Sequence, residues 1–191
     1  MLSRRSLLGG FLAGSAASGL CLSHASAEAV LTEDGFYREP WFLESFLELA
    51  DDLAGAGEKK KRLAIMWELR GCPYCKETHL VNFAKPEIAD FIKDRFDILQ
   101  LNIIGSREVT DFDGTKLSEK ALAQKYGVRY TPTIQFFPDS VAGLAEKPPK
   151  DREVSRIQGY LEPAAFLTMF RYVAERAYEK GTLRDYLKAN S

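Results

Sequence analysis

The stretch Leu63-Ala64-Ile65-Met66-Trp67-Glu68-Leu69-Arg70-Gly71-Cys72-Pro73-Tyr74-Cys75 joins a continuous apolar run to two cysteines spaced C-x-x-C. Leu63 to Trp67 follows the charged segment Lys59 to Arg62 and suits a central strand buried on both faces. Cys72 then opens a helix, with Pro73 in its first turn, where a missing N–H costs nothing. Cysteines at this spacing, between a strand end and a helix start, are arranged for reversible disulfide chemistry. One attacks a disulfide as thiolate, and the other, one helical turn away, resolves the mixed disulfide. A purely stabilising disulfide explains the pair poorly, because closing a loop over two residues removes little unfolded-chain entropy. A zinc knuckle needs a second ligand pair, and the only other cysteine, Cys21, lies in an apolar N-terminal run.

That run reads as an export signal. Ser3-Arg4-Arg5-Ser6-Leu7-Leu8 is a short basic start, Leu7 to about Leu22 is apolar, and Ala25-Ser26-Ala27 is a small-x-small cleavage signal. Residues 1–27 are therefore expected to be a signal peptide, with Glu28 as the first mature residue. The adjacent arginines resemble a twin-arginine signal, although Gly9 stands where lysine is common and two arginines also serve an ordinary secretory signal. A retained membrane anchor is disfavoured because the run is short, rich in Gly, Ala and Ser, and has no charged flank after it. Leu20 is too large to precede a lipidated Cys21. Export predicts a periplasmic, oxidising location, where a pair kept reduced and a pair acting as oxidant are both workable.

Residues 28–191 make 164 residues, enough for one domain with a core. Without Arg4 and Arg5 the 26 basic residues become 24 against 27 acidic ones, a net charge of −3. No basic stripe points to nucleic acid. Apolar residues at 43, 46, 47, 50 and 53 predict a helix from Pro40 to Ala54. Further elements are expected as a helix to Arg95 from Pro86, a strand from Phe96 to Ile103, a helix capped by Ser118 and stopped by Gly127, and strands at Thr133 to Phe137 and Glu153 to Ile157. A long helix from Pro163 to Lys180 and a short one from Thr182 to Ala189 follow. The alternation predicts an α/β sheet with a parallel part. Residues 104–117 are an insertion in which Asp113-Gly114 reads as a turn that suits a small hairpin; the Asp-x-Asp-Gly pattern lacks the remaining ligand spacing of a calcium loop.

The C-x-x-C after the first central strand, together with Lys125-Tyr126-Gly127-Val128-Arg129-Tyr130-Thr131-Pro132-Thr133, resembles the thioredoxin superfamily. The resemblance implies a thioredoxin fold, a mixed central sheet flanked by helices, with a helical N-terminal extension over 28–60, the domain proper over 61–191 and a C-terminal helix. It also implies that Pro132 is cis and faces the active cysteine, with Thr131 offering its backbone to an extended client and Tyr74 and Tyr130 beside it. Cys-Pro-Tyr-Cys occurs in glutaredoxins as well, but no Gly-Gly-type glutathione site follows Pro132 here; exported isomerases need an N-terminal dimerisation domain for which 28–60 is too short. Gly71-Cys72-Pro73-Tyr74-Cys75, Glu77 to Phe83, Arg107 to Gly114 and Gly159-Tyr160-Leu161 resemble the SoxW-type periplasmic thioredoxins. That family implies a thiol–disulfide reductase of the sulfur-oxidation system, a monomer that takes electrons from a membrane thiol–disulfide reductant and acts on protein disulfide clients.

Within this reading Cys72, nearest the positive helix end, is the nucleophile and Cys75 resolves. Arg70 and Lys76 either acidify Cys72 or are simply solvated. The strand position six before the nucleophile is Met66, which moves no proton; Glu68, on the same strand face, becomes the candidate acceptor for the Cys75 proton. His79, four residues after Cys75, is expected to pack or hydrogen-bond rather than bind metal. No metal and no cofactor beyond the Cys72–Cys75 disulfide is expected. The competing functions are a disulfide donor or isomerase-like oxidant, a metallochaperone or cytochrome-assembly carrier using Cys72, Cys75 and His79, and a binding module without turnover.

Overall fold

The computed structural model describes residues 29–189, so the expected signal peptide, residues 1–27, lies outside the described residues. In chain order the elements are β1 (Val30–Leu31), β2 (Tyr37–Arg38), α1 (Leu49–Glu58), β3 (Arg62–Glu68), α2 (Pro73–Glu77), α3 (Pro86–Arg95), β4 (Phe96–Asn102), β5 (Glu108–Thr110), β6 (Lys116–Ser118), α4 (Glu119–Lys125), β7 (Thr133–Phe136), β8 (Ser155–Gln158), α5 (Pro163–Ala174) and α6 (Leu183–Ala189). A π-helix, Thr78–Phe83, continues α2 directly.

The central sheet has the order β4-β3-β7-β8. β3 pairs parallel with β4, Met66 opposite Gln100, and antiparallel with β7, which pairs antiparallel with β8. β3 is buried along all seven residues, as a central strand covered on both faces must be. Its side chains alternate. Leu63, Ile65 and Trp67 enter a core with α1 and α4, through Leu49, Leu53 and Leu122. Ala64 and Met66 enter the opposite core with α3 and α5, through Ile88, Ile92, Phe166 and Phe170. Glu68 has the parity of Met66, which directs it to the α3/α5 side.

Two expected helices are shorter than their apolar stripes. The helix from Pro40 is corrected: α1 starts only at Leu49, because Leu47 takes a left-handed φ of 65° and its carbonyl accepts from Thr110 N–H. Phe46, counted in the helical stripe, is 98 % exposed, whereas Trp41 and Phe42 pack edge-on against Phe83. Of the expected 28–60 extension, the described residues 29–60 hold the β1–β2 hairpin, an irregular segment and one helix. The helix from Pro163 ends at Ala174, since Arg176 is left-handed at φ 55°, and a single 3₁₀ turn, Ala177–Glu179, leads to α6.

The 104–117 insertion forms the β5–β6 hairpin and seats Val109 and Phe112 in the α1/α4 core. Asp111 and Asp113 are held by Arg152 at 2.8 and 2.9 Å and by Lys125 at 2.6 Å each, so these carboxylates tie the hairpin to the loop before β8 rather than facing a cation site. At the end of β6, Ser118 caps α4, its hydroxyl accepting from Ala121 N–H at 3.2 Å. Ser118→Ala should cost about 1 kcal/mol and lower the melting temperature by roughly 2–4 °C, read by thermal denaturation.

Candidate active site

The site begins where β3 runs out. Leu69-Arg70-Gly71 turns the chain, Gly71 taking a φ of 77° that a side chain would resist, and Cys72 caps α2 with extended backbone. Cys72 and Cys75 are disulfide-bonded, with Cα atoms 5.3 Å apart. The Cys75 N–H points at Cys72 Sγ from 3.1 Å. This is the donor that would hold a thiolate at Cys72 in the reduced protein. Cys72 is partly exposed and Cys75 is buried, which places the accessible sulfur first in the chain.

The second wall comes from the segment before β7. The Thr131–Pro132 peptide is cis. Thr131 Oγ1 lies 3.4 Å and Thr131 O 3.6 Å from Cys72 Sγ, and Pro132 is buried. Pro132 O accepts from Gly159 N–H at 2.8 Å, and Thr133 Oγ1 donates to Tyr130 O at 2.8 Å, fixing the loop on both sides. Tyr74 is 57 % and Tyr130 65 % exposed; Tyr74 stacks on Tyr160 with ring centres 6.2 Å apart. Tyr160 was quoted in the sequence only as part of a Gly-Tyr-Leu stretch, and only the fold shows that it flanks Tyr74.

Behind the cysteines lies a cleft of about 470 Å³, lined by Cys72, Cys75, Glu68, Phe36, Tyr37 and Lys76 among others. The β1–β2 hairpin closes one side. Its turn needs Gly35, which has φ 84° and whose Cβ would come within 2.8 Å of Arg70 Cδ. Lys76 Nζ stands 5.9 Å over the Tyr37 ring. Neither Arg70 nor Lys76 pairs with a carboxylate among the described residues, so both leave positive charge near Cys72.

Glu68 is 1 % exposed and belongs to a buried polar network. His79 Nε2 is 3.1 Å from Glu68 Oε1, and His79 Nδ1 is 3.0 Å from Glu39 Oε1. Gln100 donates to Glu68 Oε2 and, at 2.7 Å, to Tyr37 O. Glu39 and His79 are 2 % and 1 % exposed. Burial disfavours a charged imidazole, but the hydrogen bonds and charges of Glu39 and Glu68 outweigh it and raise His79 to about 9, so the ring is an imidazolium at neutral pH. Both ring nitrogens are committed to carboxylates, which removes His79 as a third ligand beside the cysteines; no group of three or more His, Cys, Asp or Glu among the described residues is arranged for a metal. Glu39 carried no signal in the sequence: it sits outside every motif, and its partner lies 40 residues away.

A sequence model of the Thioredoxin-like domain family matches residues 49–174, about two thirds of the chain. The chain belongs to the thioredoxin-like domain family. Among solved structures it is similar to a thioredoxin-fold protein from Helicobacter pylori, with 23 % identity, 68 % of this chain and 84 % of that one covered, and a TM-score of 0.54. A thioredoxin from Thermus thermophilus aligns at 23 % identity, over 64 % and 81 % of the two chains, with a TM-score of 0.47. No curated protein matches the chain significantly. A thioredoxin-like domain that carries a Cys72–Cys75 disulfide at a helix start supports a thiol–disulfide oxidoreductase. Its N-terminal hairpin and Glu39 lie before the matched segment.

Proposed function

We propose that this protein is an exported thioredoxin-like reductase of the SoxW type, which works in its dithiol form and serves the sulfur-oxidation system. The observation that carries the reductase reading is the partly exposed Cys72 Sγ, 3.4 Å from Thr131 Oγ1 and 3.1 Å from the Cys75 N–H, next to the exposed rings of Tyr74 and Tyr130. An extended client segment laid along Thr131 brings its disulfide to that sulfur. The export and sulfur-oxidation parts rest on the reading of residues 1–27 and on the motif resemblance.

The Cys72 thiolate attacks one client sulfur, forming a mixed disulfide and releasing the other as thiolate. The Cys75 thiol gives its proton to Glu68, and the new thiolate attacks Cys72 Sγ. The Cys72–Cys75 bond forms, and the second client sulfur leaves with the electron pair of the broken bond. The client gains two electrons and the pair loses two. A membrane thiol–disulfide reductant restores the dithiol.

The test is insulin reduction by dithiothreitol, together with the potential of the pair. Catalysed reduction and a potential well below the about −120 mV of a dedicated periplasmic oxidant are expected. A potential near that value, with rapid oxidation of reduced unfolded protein and little reductase turnover, would make it a disulfide donor.

A further inference from the structure

The buried Glu39–His79–Glu68 chain is an expensive feature. Buried ion pairs are weak contributors to stability, and apolar residues of similar volume often replace them without loss. This one is not at random in the core: its Glu68 end forms part of the wall of the cleft that both cysteines line. Its other end, Glu39, is supplied by the segment after β2, outside the 49–174 span that matches the family.

We propose that Glu39 is a positioning residue for the resolving step: through His79 it holds Glu68 in place in the wall of the cleft that Cys75 also lines and sets how readily that carboxylate takes the Cys75 proton. The proposal rests on the reductase reading above. Two donors fix the Glu68 carboxylate, His79 Nε2 and Gln100 Nε2, and only one of them is itself fixed by a charge, the carboxylate of Glu39 at 3.0 Å from Nδ1. With Glu39 removed, Glu68 faces the imidazolium alone, and a carboxylate paired with a cation and no second anion is a weaker base. With Glu39 present, two carboxylates share one imidazolium, and the surplus negative charge favours proton uptake from the cleft. The other ionisable groups around the network and its cleft are Tyr37 on β2, whose ring centre is 6.2 Å from the His79 ring, Lys76 on α2 above Tyr37, Arg70 in the turn after β3, and Cys72 and Cys75 across the cleft. The remaining neighbours, Phe42 and Phe83, are apolar and keep water from the ring.

In this step the Cys75 S–H bond breaks toward a Glu68 oxygen, the Cys75–Cys72 sulfur bond forms, and the client sulfur departs with the electrons of the mixed disulfide. The proton on Glu68 later returns to solvent or to Cys75 when the pair is reduced again.

The test is the pH profile of insulin reduction by Glu39→Gln, which keeps an acceptor for the Nδ1–H donor and removes the charge. Loss of a buried negative charge lowers the proton affinity of the groups around it, so the acidic limb should move to lower pH. The plateau should fall about tenfold, part of the 10²–10⁴ that a positioned base contributes. Glu39→Asp, with the charge restored, should bring the limb back. A limb that stays where the wild type has it, in a folded Glu39→Gln protein, overturns the role of Glu39 while leaving the reductase reading intact. A wild type that reduces no insulin overturns both. Should Glu39→Gln fail to fold, NMR of the wild-type imidazole decides: the His79 ring should remain protonated through pH 8, and titration near 6.5 would overturn the proposal.

Discussion

Replacing Cys72 by serine should reduce insulin turnover to the uncatalysed dithiothreitol background, whereas Cys75→Ser should stall after one chemical step and accumulate a mixed disulfide. The asymmetry comes from placement. Cys72 is the partly exposed sulfur, receives the Cys75 N–H at 3.1 Å and lies against Thr131, where a client must pass. Cys75 is buried behind it and reaches only a sulfur already bound to Cys72. Without Cys72 no first attack occurs. Without Cys75 the first attack occurs once and the client stays attached, so a non-reducing gel of the Cys75→Ser protein with oxidised insulin should show a covalent adduct that dithiothreitol releases. Alkylation of single-cysteine variants against pH gives the second readout. Cys72 should react faster near neutral pH, because the thiolate is the nucleophile and the positive helix end stabilises it. Faster alkylation of Cys75, or an adduct on Cys72→Ser instead, would reverse the two roles.

His79→Ala should destabilise the fold by about 3–5 kcal/mol, the loss typical of removing one partner from a buried ion pair. Glu39 and Glu68 would then face each other across an empty space with no cation between them. The wild type should show the same interaction as a pH dependence. The folded protein keeps the His79 proton up to about 9, while the unfolded chain gives it up near 6.5. Native protein therefore binds more protons than unfolded protein between those values, and stability must fall as pH rises. The contribution is complete below about 6.5 and is lost through about 9, a change of roughly 3 kcal/mol. Urea unfolding at pH 6, 7.5 and 9 measures it. His79→Gln should flatten the slope, and a wild-type midpoint that holds steady from pH 6 to 9 would contradict a buried imidazolium.

How much of this was open to reading along the chain depends on the range of the interaction. β3 and the start of α2 are local: a buried strand needs a run of apolar residues, and a proline tolerated in a first turn marks a helix start, so Leu63 to Cys75 spells them out. Ser118, Gly127 and the Asp113-Gly114 turn are equally local signals, and α4 and the β5–β6 hairpin stand where they point. The apolar stripe from Pro40 overstates α1, because apolar spacing cannot tell a helix from an irregular segment whose aromatic rings are claimed elsewhere; Trp41 and Phe42 pack on Phe83, and Phe46 is exposed.

The chemistry divides the same way. Sequence by itself determined the redox pair, because two cysteines three positions apart at a helix start are bound to meet. It also placed Glu68 on the Met66 face of β3, by strand parity alone. Tertiary structure alone decided what that carboxylate touches. Met66 and Gln100 are opposed by the β3–β4 register, which brings the Gln100 amide to Glu68 from 32 residues away. The β1–β2 hairpin and the segment after it carry Glu39 to His79 across 40 residues. Thr131 reaches Cys72 across 59 residues because β7 lies next to β3. The motif resemblance implied the meeting of the Thr131–Pro132 loop with Cys72. The pairings of Gln100 and Glu39 follow from no periodicity or motif, since a hydrogen bond between distant residues is set by how strands and loops pack, and that is settled only once the whole chain has buried its apolar faces.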